Sequence, residues 1–400
     1  MKVLSVVGAR PNFVKIAPLL AEMRRRGQIR PVLVHTGQHY DAEMSDCFFR
    51  ELRIPQPDFN LGVGEASPTV QAAEVMKRLE PVIIQERPEV VVVVGDVNST
   101  LAAALTAVKL GIPVAHVESG LRSFDRTMPE EINRVVTDAV ADVLFVSEPS
   151  GVENLLREGQ ARERIFLVGN VMIDTLRRFL GVARRSATLD WLRLRRGKGS
   201  NGNPRYAVLT LHRPALVDHP EVFRKIWEPI VEIAEKMPVI FPVHPRTQKR
   251  LRKAGFESSL AGQPTRRSAG VRMIPPLGYL QFLRLQSEAT LVITDSGGIQ
   301  EETTALGVPC LTVRDNTERP ITVTEGTNTL VGLNPNRLRE EARKILSGKG
   351  KKGRMPALWD GRCAARIVTV LLQRYGLRPE RRRKGHDSLL FSYPGVMPTT

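Results

Sequence analysis

The chain has 400 residues, 42% apolar and 25% charged, enough to fill more than one ordinary hydrophobic core, so two lobes are expected. A formal charge of +17 raises nucleic-acid binding, but much of the excess lies in Arg184–Lys198, Lys349–Arg354 and Arg378–Lys384, read as linkers and a tail with little aromatic interleaving, so no nucleic-acid partner is expected. No apolar run reaches the roughly 18 to 20 residues of a membrane span, and Cys47, Cys310 and Cys363 form no CxxC pair, which sets aside membrane insertion, a disulfide framework and a structural zinc site.

Met1 to Val7 read straight into a strand rather than a signal peptide, so a cytoplasmic location is expected. Apolar runs at Val3–Val7, Arg30–His35, Val90–Gly95, Pro113–Val117, Asp142–Val146 and Ile165–Val168 alternate with amphipathic stretches at Phe13–Arg25, Pro68–Glu86, Thr100–Lys109 and from Pro129. That is the rhythm of a parallel sheet covered by helices. A helix over Met172–Val182 leads into a basic, Gly/Ser/Asn-rich stretch ending near Pro204. A second series follows through Tyr206–Leu211, Phe223–Lys236, Val239–Val243, Leu280–Ser287, Leu291–Thr294, Ile299–Leu306 and Cys310–Val313, with a last helix at Cys363–Arg374.

The pattern predicts an α/β chain of two Rossmann-like doubly wound domains facing a central cleft. Residues 1–170 form the first domain, with candidate catalytic acids; 171–204 a hinge and basic linker; 205–362 a second domain; 363–376 a helix packing back towards the first; and 377–400 a basic, disordered tail.

Strand Val3–Val7 runs into Gly8-Ala9-Arg10-Pro11-Asn12-Phe13-Val14-Lys15, a glycine turn opening a helix with two cations near its first turn. A helix N-terminus with Arg10 and Lys15 beside it suits an anion. It is not GxGxxG, so no dinucleotide is expected. A stronger signal is Asp295-Ser296-Gly297-Gly298-Ile299-Gln300-Glu301-Glu302 after strand Leu291–Thr294. Gly297 and Gly298 let backbone amides approach a diphosphate, Ser296 adds a hydroxyl, and Glu302 is placed to take vicinal sugar hydroxyls. Asp96, Glu118 and Glu130 sit at or just beyond expected strand ends, the arrangement proton abstraction and return would need. Their wide spacing offers no tight cluster for a hard cation, and no metal is expected. His212 and Arg213 end one strand of the second domain and His244 another, and Arg314 is a further nucleotide candidate.

GARPNFVK, TGQHYDAEM, GDVNST, HVESGLRS, MPEEINR, LHRP, PVHPRT, DSGGIQEE, RDNTERP and LWDGR occur in this order over about residues 1–370. Together they resemble the motif series of the non-hydrolysing UDP-N-acetylglucosamine 2-epimerases. The resemblance implies a glycosyltransferase-B-like architecture, a homodimer, a UDP-sugar substrate and no cofactor. It also implies anti elimination of UDP to a 2-acetamidoglucal and re-addition with the C2 configuration inverted. Asp96, Glu118 and Glu130 match the family's catalytic acids and His212 its catalytic histidine. Arg10, Lys15, Arg213, Ser296, Gly297, Gly298, Glu302 and Arg314 match UDP-sugar ligands, and Phe282 falls where a contact on the uracil side would be. Gln38, His39 and His244 match a second, allosteric UDP-sugar site. The chain departs from the pattern at Ala215-Leu216-Val217-Asp218, where a polar pair is usual, and in Leu61–Glu65, which lacks an arginine.

Three other readings compete. A C2 epimerase of UDP-2,3-diacetamido-2,3-dideoxyglucuronate would use the same core with an extra cation for the uronate, for which Arg122 and Arg126 stand nearby. A hydrolysing epimerase would accumulate UDP. A glycosyltransferase would share the diphosphate site but has no need of three acids.

Overall fold

The computed structural model describes residues 1–38, 42–194, 205–243, 245–253 and 270–376. The linker at 195–204, the tail at 377–400, His39 and His244 therefore lie outside the described residues. The strands of the first half are β1 (Lys2–Val7), β2 (Arg30–His35), β3 (Phe59–Asn60), β4 (Val90–Val94), β5 (Val114–Ser119), β6 (Val143–Val146) and β7 (Ile165–Leu167). Those of the second half are β8 (Ala207–Thr210), β9 (Val239–Pro242), β10 (Val271–Ile274), β11 (Leu291–Thr294), β12 (Cys310–Thr312) and β13 (Asn328–Leu330).

They form two parallel sheets, ordered β3-β2-β1-β4-β5-β6-β7 and β10-β9-β8-β11-β12-β13. The chain divides into two compact units, Met1–Thr175 with the residues from Asp360 onward, and Leu176–Trp359. Helix Val171–Ala183 carries the chain from one to the other. Both sheets are doubly wound, as the sequence pattern predicts.

β4 is five consecutive valines, all fully buried. Val91 and Val93 join Leu79, Ile83, Ala103 and Ala107 in one core layer, while the period of two puts Val90, Val92 and Val94 on the opposite face. Each buried valine contributes roughly 1.5 kcal/mol of transfer free energy. In the second unit, Phe223, Trp227 and Phe241 pack together over β8 and β9. Leu216 and Val217, inside the Ala215–Asp218 stretch where the sequence departs from the related motif, are buried in that core.

Helix Cys363–Tyr375 docks in the first unit: Cys363 N and Ala364 N donate to the Asp174 carboxylate at 3.1 and 2.7 Å, and Arg26 donates to Thr369 at 3.1 Å. Burial raises Asp174 to about 6 against those two amides.

In each sheet the winding reverses once, between β1 and β4 and between β8 and β11. Crevices that take ligands in such sheets open at the carboxyl ends of the strands flanking the reversal. Here those ends carry Gly8–Arg10, Gly95–Val97, Leu211–Arg213 and Asp295–Gly298.

Candidate active site

In the first unit, Asn12 ties the two turns of the reversal together. Its Oδ1 accepts from Gly8 N and Ala9 N at 3.1 Å each, and its Nδ2 donates to Val94 O at 2.8 Å. This fixes the helix Arg10–Arg26 so that Lys15, one turn in, passes over Gly95 to meet Glu118 at 2.7 Å, with both side chains only 4% exposed. Glu118 belongs to a central strand, yet its φ of 75° and a register shift against β6 between Val117 and Ser119 mark a bulge. A bulge re-aims the side chain at the strand end where it occurs.

Asp96 follows β4 and pairs with Arg134 at 2.5 Å, while Asn133 donates to its backbone carbonyl at 2.9 Å. Arg134 also grips Glu131 at 2.6 Å. The two adjacent glutamates of helix Pro129–Val140 have different environments. Glu131 is buried and accepts from Ser123 N and Oγ at 3.0 Å each and from Phe124 N at 2.9 Å, whereas Glu130 is exposed. Burial pushes Glu131 up, but Ser123, Arg134 and Phe124 together hold it below the usual carboxylate range. Glu131 and Arg134 thus frame the site without having been singled out in the sequence. Glu131 shares its dipeptide with the more exposed candidate, and Arg134 meets Asp96 only through tertiary packing.

Arg122 is 3% exposed and pairs with Asp138 and Glu158 at 2.7 Å each. The expectation that it stands ready for a substrate carboxylate is corrected: two protein carboxylates already occupy it. Gln38 accepts from Ser99 N and Oγ at 3.2 and 2.7 Å, beside the same reversal.

In the second unit, the pairing of β8 with β11 brings Asp295 under His212 and Arg213. Its Oδ2 accepts both backbone N–H groups at 2.8 Å, and its Oδ1 lies 2.9 Å from His212 Nδ1. The ring is anchored at Nδ1 while 62% of its side chain is exposed. Burial pushes Asp295 up, but His212 and the two amides hold it below the ordinary aspartate range. Arg213 is fixed again by donation from Nε to Asp295 O at 3.0 Å.

Ser296 stands at the N-cap of helix Gly297–Leu306, and its hydroxyl does not cap that helix. A Cβ on Gly297 would lie 2.5 Å from Arg319 Nη1, so glycine is required for the Arg319 guanidinium to pack there. Glu318, 1% exposed, takes Arg314 at 2.8 and 2.9 Å, Arg319 at 3.4 Å and Arg213 at 3.6 Å, while Arg319 also meets Glu301 at 3.0 Å. With Asp295 directly before Ser296, these three arginines face three carboxylates, and the helix N-terminus adds its own partial positive charge. Glu302 is buried, accepting from Tyr279 and Gln286 at 3.1 Å each, and burial raises it to about 7 against those donors. Phe282, half-buried, packs on the core around Tyr206 and Val208. Arg10 and Gly298 each lie in the first turn of their helices. Among the described residues, no three His, Cys, Asp or Glu side chains converge as a metal site would require. No helix among them is long and apolar enough to cross a membrane.

Residues 21–372 match the family model described as UDP-N-acetylglucosamine 2-epimerase. The chain belongs to this family. A UDP-N-acetylglucosamine 2-epimerase of Methanocaldococcus jannaschii is 42% identical over 373 residues, 93% of this chain and 99% of that protein. Its crystal structure in complex with UDP-GlcNAc and UDP matches with a TM-score of 0.83, at 41% identity over 93% of this chain and 100% of that one. Another relative, the UDP-2,3-diacetamido-2,3-dideoxy-D-glucuronate 2-epimerase of Pseudomonas aeruginosa, is 38% identical over 374 residues, 93% of this chain and 99% of that protein.

Proposed function

We propose that the chain is an isomerase that interconverts UDP-N-acetylglucosamine and UDP-N-acetylmannosamine, acting in the cytoplasm as a homodimer. The observation that carries this reading is the pairing of carboxylate and cation at two turns of the first unit, Glu118 with Lys15 and Asp96 with Arg134, in a member of this family.

Elimination breaks the C2–H and C1–O bonds and forms a C1=C2 double bond, the electron pair leaving with UDP; re-addition returns a proton to the opposite face of C2. The C2 proton is weakly acidic, so the step needs a positioned base and stabilisation of the departing diphosphate. Asp96, Glu118 and Glu130 are the proposed proton-transfer groups. His212, anchored at Nδ1 by Asp295, would meet the substrate through Nε2. Ser296, Gly297 and Gly298 at the helix N-terminus, with Arg10, Lys15, Arg213 and Arg314, would hold the diphosphate. Glu302 would accept from ribose hydroxyls, and Phe282 would flank the uracil. Gln38 is the described member of a proposed second UDP-sugar site.

Arg122 is engaged by Asp138 and Glu158, so of the two cations considered for the extra carboxylate of a diacetamido uronate the exposed Arg126 is the one that would serve it. The N-acetylglucosamine substrate is preferred on the higher identity to the Methanocaldococcus jannaschii enzyme, 42% against 38%. Proton NMR in deuterated water with UDP-N-acetylglucosamine tests the reading. Deuterium at C2 of both epimers with little free UDP is expected. UDP binding without exchange at C2 would overturn it.

A further inference from the structure

We propose that Asp138, acting through His116, is the positioning residue that sets the spacing of the two acid-bearing turns, Asp96 and Glu118; the inference rests on the epimerase reading above. Asp138 is fully buried on helix Pro129–Val140, out of reach of any substrate. Its Oδ1 meets His116 Nδ1 at 2.7 Å, and His116 Nε2 meets Gly95 O at 2.8 Å. A carbonyl only accepts, so Nε2 carries a proton and donates it. The other oxygen, Oδ2, accepts from Gly120 N at 2.9 Å and Arg122 Nη1 at 2.7 Å.

One carboxylate therefore reaches the residue before Asp96 through the imidazole, and a residue two beyond Glu118 directly. Both attachment points are conformationally demanding. Gly95 and Gly120 have φ of 69° and 79°, and Glu118 between them in the chain has 75°. Residues held in such regions persist only where surrounding bonds over-determine them. Burying His116, Asp138 and Arg122 at the heart of a unit is costly, and apolar residues of similar volume are often as stable or more so. What this network supplies that a greasy core would not is a fixed separation of two turns. Burial pushes Asp138 up, but His116, Arg122 and the Gly120 amide hold it below the usual aspartate range, so it works as a multiple acceptor.

The test uses Asp138→Asn, which can accept on one side only and presents an amide N–H to a donor on the other, and His116→Gln, which keeps the helix carboxylate. With UDP-N-acetylglucosamine, kcat per UDP-binding site is expected to fall about 100-fold, the loss that an ångström-scale misplacement produces, with KM and UDP affinity within about threefold of wild type. Amide hydrogen exchange in 95–98 and 118–122 is expected to rise about tenfold, with helix Arg10–Arg26 unchanged. If Asp138→Asn does not fold, His116→Gln decides. Activity loss that merely tracks the unfolded fraction, or turnover per site within about threefold together with unchanged exchange in both segments, would overturn the assignment. Should wild type itself not epimerise, the substrate reading fails, and the exchange measurement still judges Asp138.

Discussion

Lys15 and Glu118 form a buried ion pair at 2.7 Å that joins the first helix, which follows β1, to β5, two strands away in the sheet order, across Gly95. Breaking such a pair from one side strands a buried charge. Lys15→Met is expected to lower the unfolding free energy by about 3–5 kcal/mol in urea titrations, and Lys15→Met combined with Glu118→Gln to recover most of that loss while remaining inactive. Gly95→Ala should reproduce part of the effect, because its Cβ would lie 2.7 Å from Lys15 Nζ at a φ of 69°. Equal stability of Lys15→Met and wild type would show that the pair has no structural weight.

Asp295 orients His212 in the second unit. Asp295→Asn removes the negative partner at Nδ1, and kcat is expected to fall about 10³-fold, by steady-state conversion assays, with UDP affinity changing far less. Asp295 is held below the ordinary aspartate range, so its stabilising contribution is present above the unfolded value and is lost as pH falls through the folded one. The acid limb of the stability profile, below about pH 4, should therefore be shallower in the variant.

Glu130 and Glu131 are expected to separate function from stability. Glu130→Gln, at an exposed position, should leave the unfolding midpoint nearly unchanged, within about 0.5 kcal/mol, while abolishing C2 exchange. Glu131→Gln weakens a carboxylate that accepts from Ser123, Phe124 and Arg134, and should cost about 2–4 kcal/mol by denaturant unfolding. The opposite ranking would move the catalytic role to Glu131.

Glu302 should make stability fall with rising pH. Its folded value is raised to about 7 by burial, so the protonated form is favoured in the native state. The contribution is fully present below the unfolded value near 4.3 and is lost as pH rises through about 7, on the order of 3 kcal/mol across that window. Glu302→Gln should flatten this limb between pH 5 and 8 in thermal unfolding scans, and an unchanged slope would rule out Glu302 as its source.

The doubly wound fold class was legible because its signals are local: β4 is a run of valines, and most helices and inner strands carry their own period and start signals. β3, β10 and β13 escaped the sequence reading; all three are edge strands whose residues, Phe-Asn, Val-Arg-Met-Ile and Asn-Thr-Leu, include polar residues and form no apolar run. The motifs placed Asp96, Glu118 and Glu130, and on the other unit His212 and the Ser296–Gly298 turn, at helix and strand ends where chemistry belongs. The sequence by itself determined which residue types sit at those ends. Only the tertiary structure decided their partners: Arg134 for Asp96, Lys15 for Glu118, Asp295 for His212, Glu318 for Arg314, and the loss of Arg122 to Asp138 and Glu158. Apart from Arg314 and Glu318, which stand four residues apart in one segment, these pairs depend on which strands lie side by side and where a bulge turns a side chain, and strand order is a long-range property with no signature in local spacing.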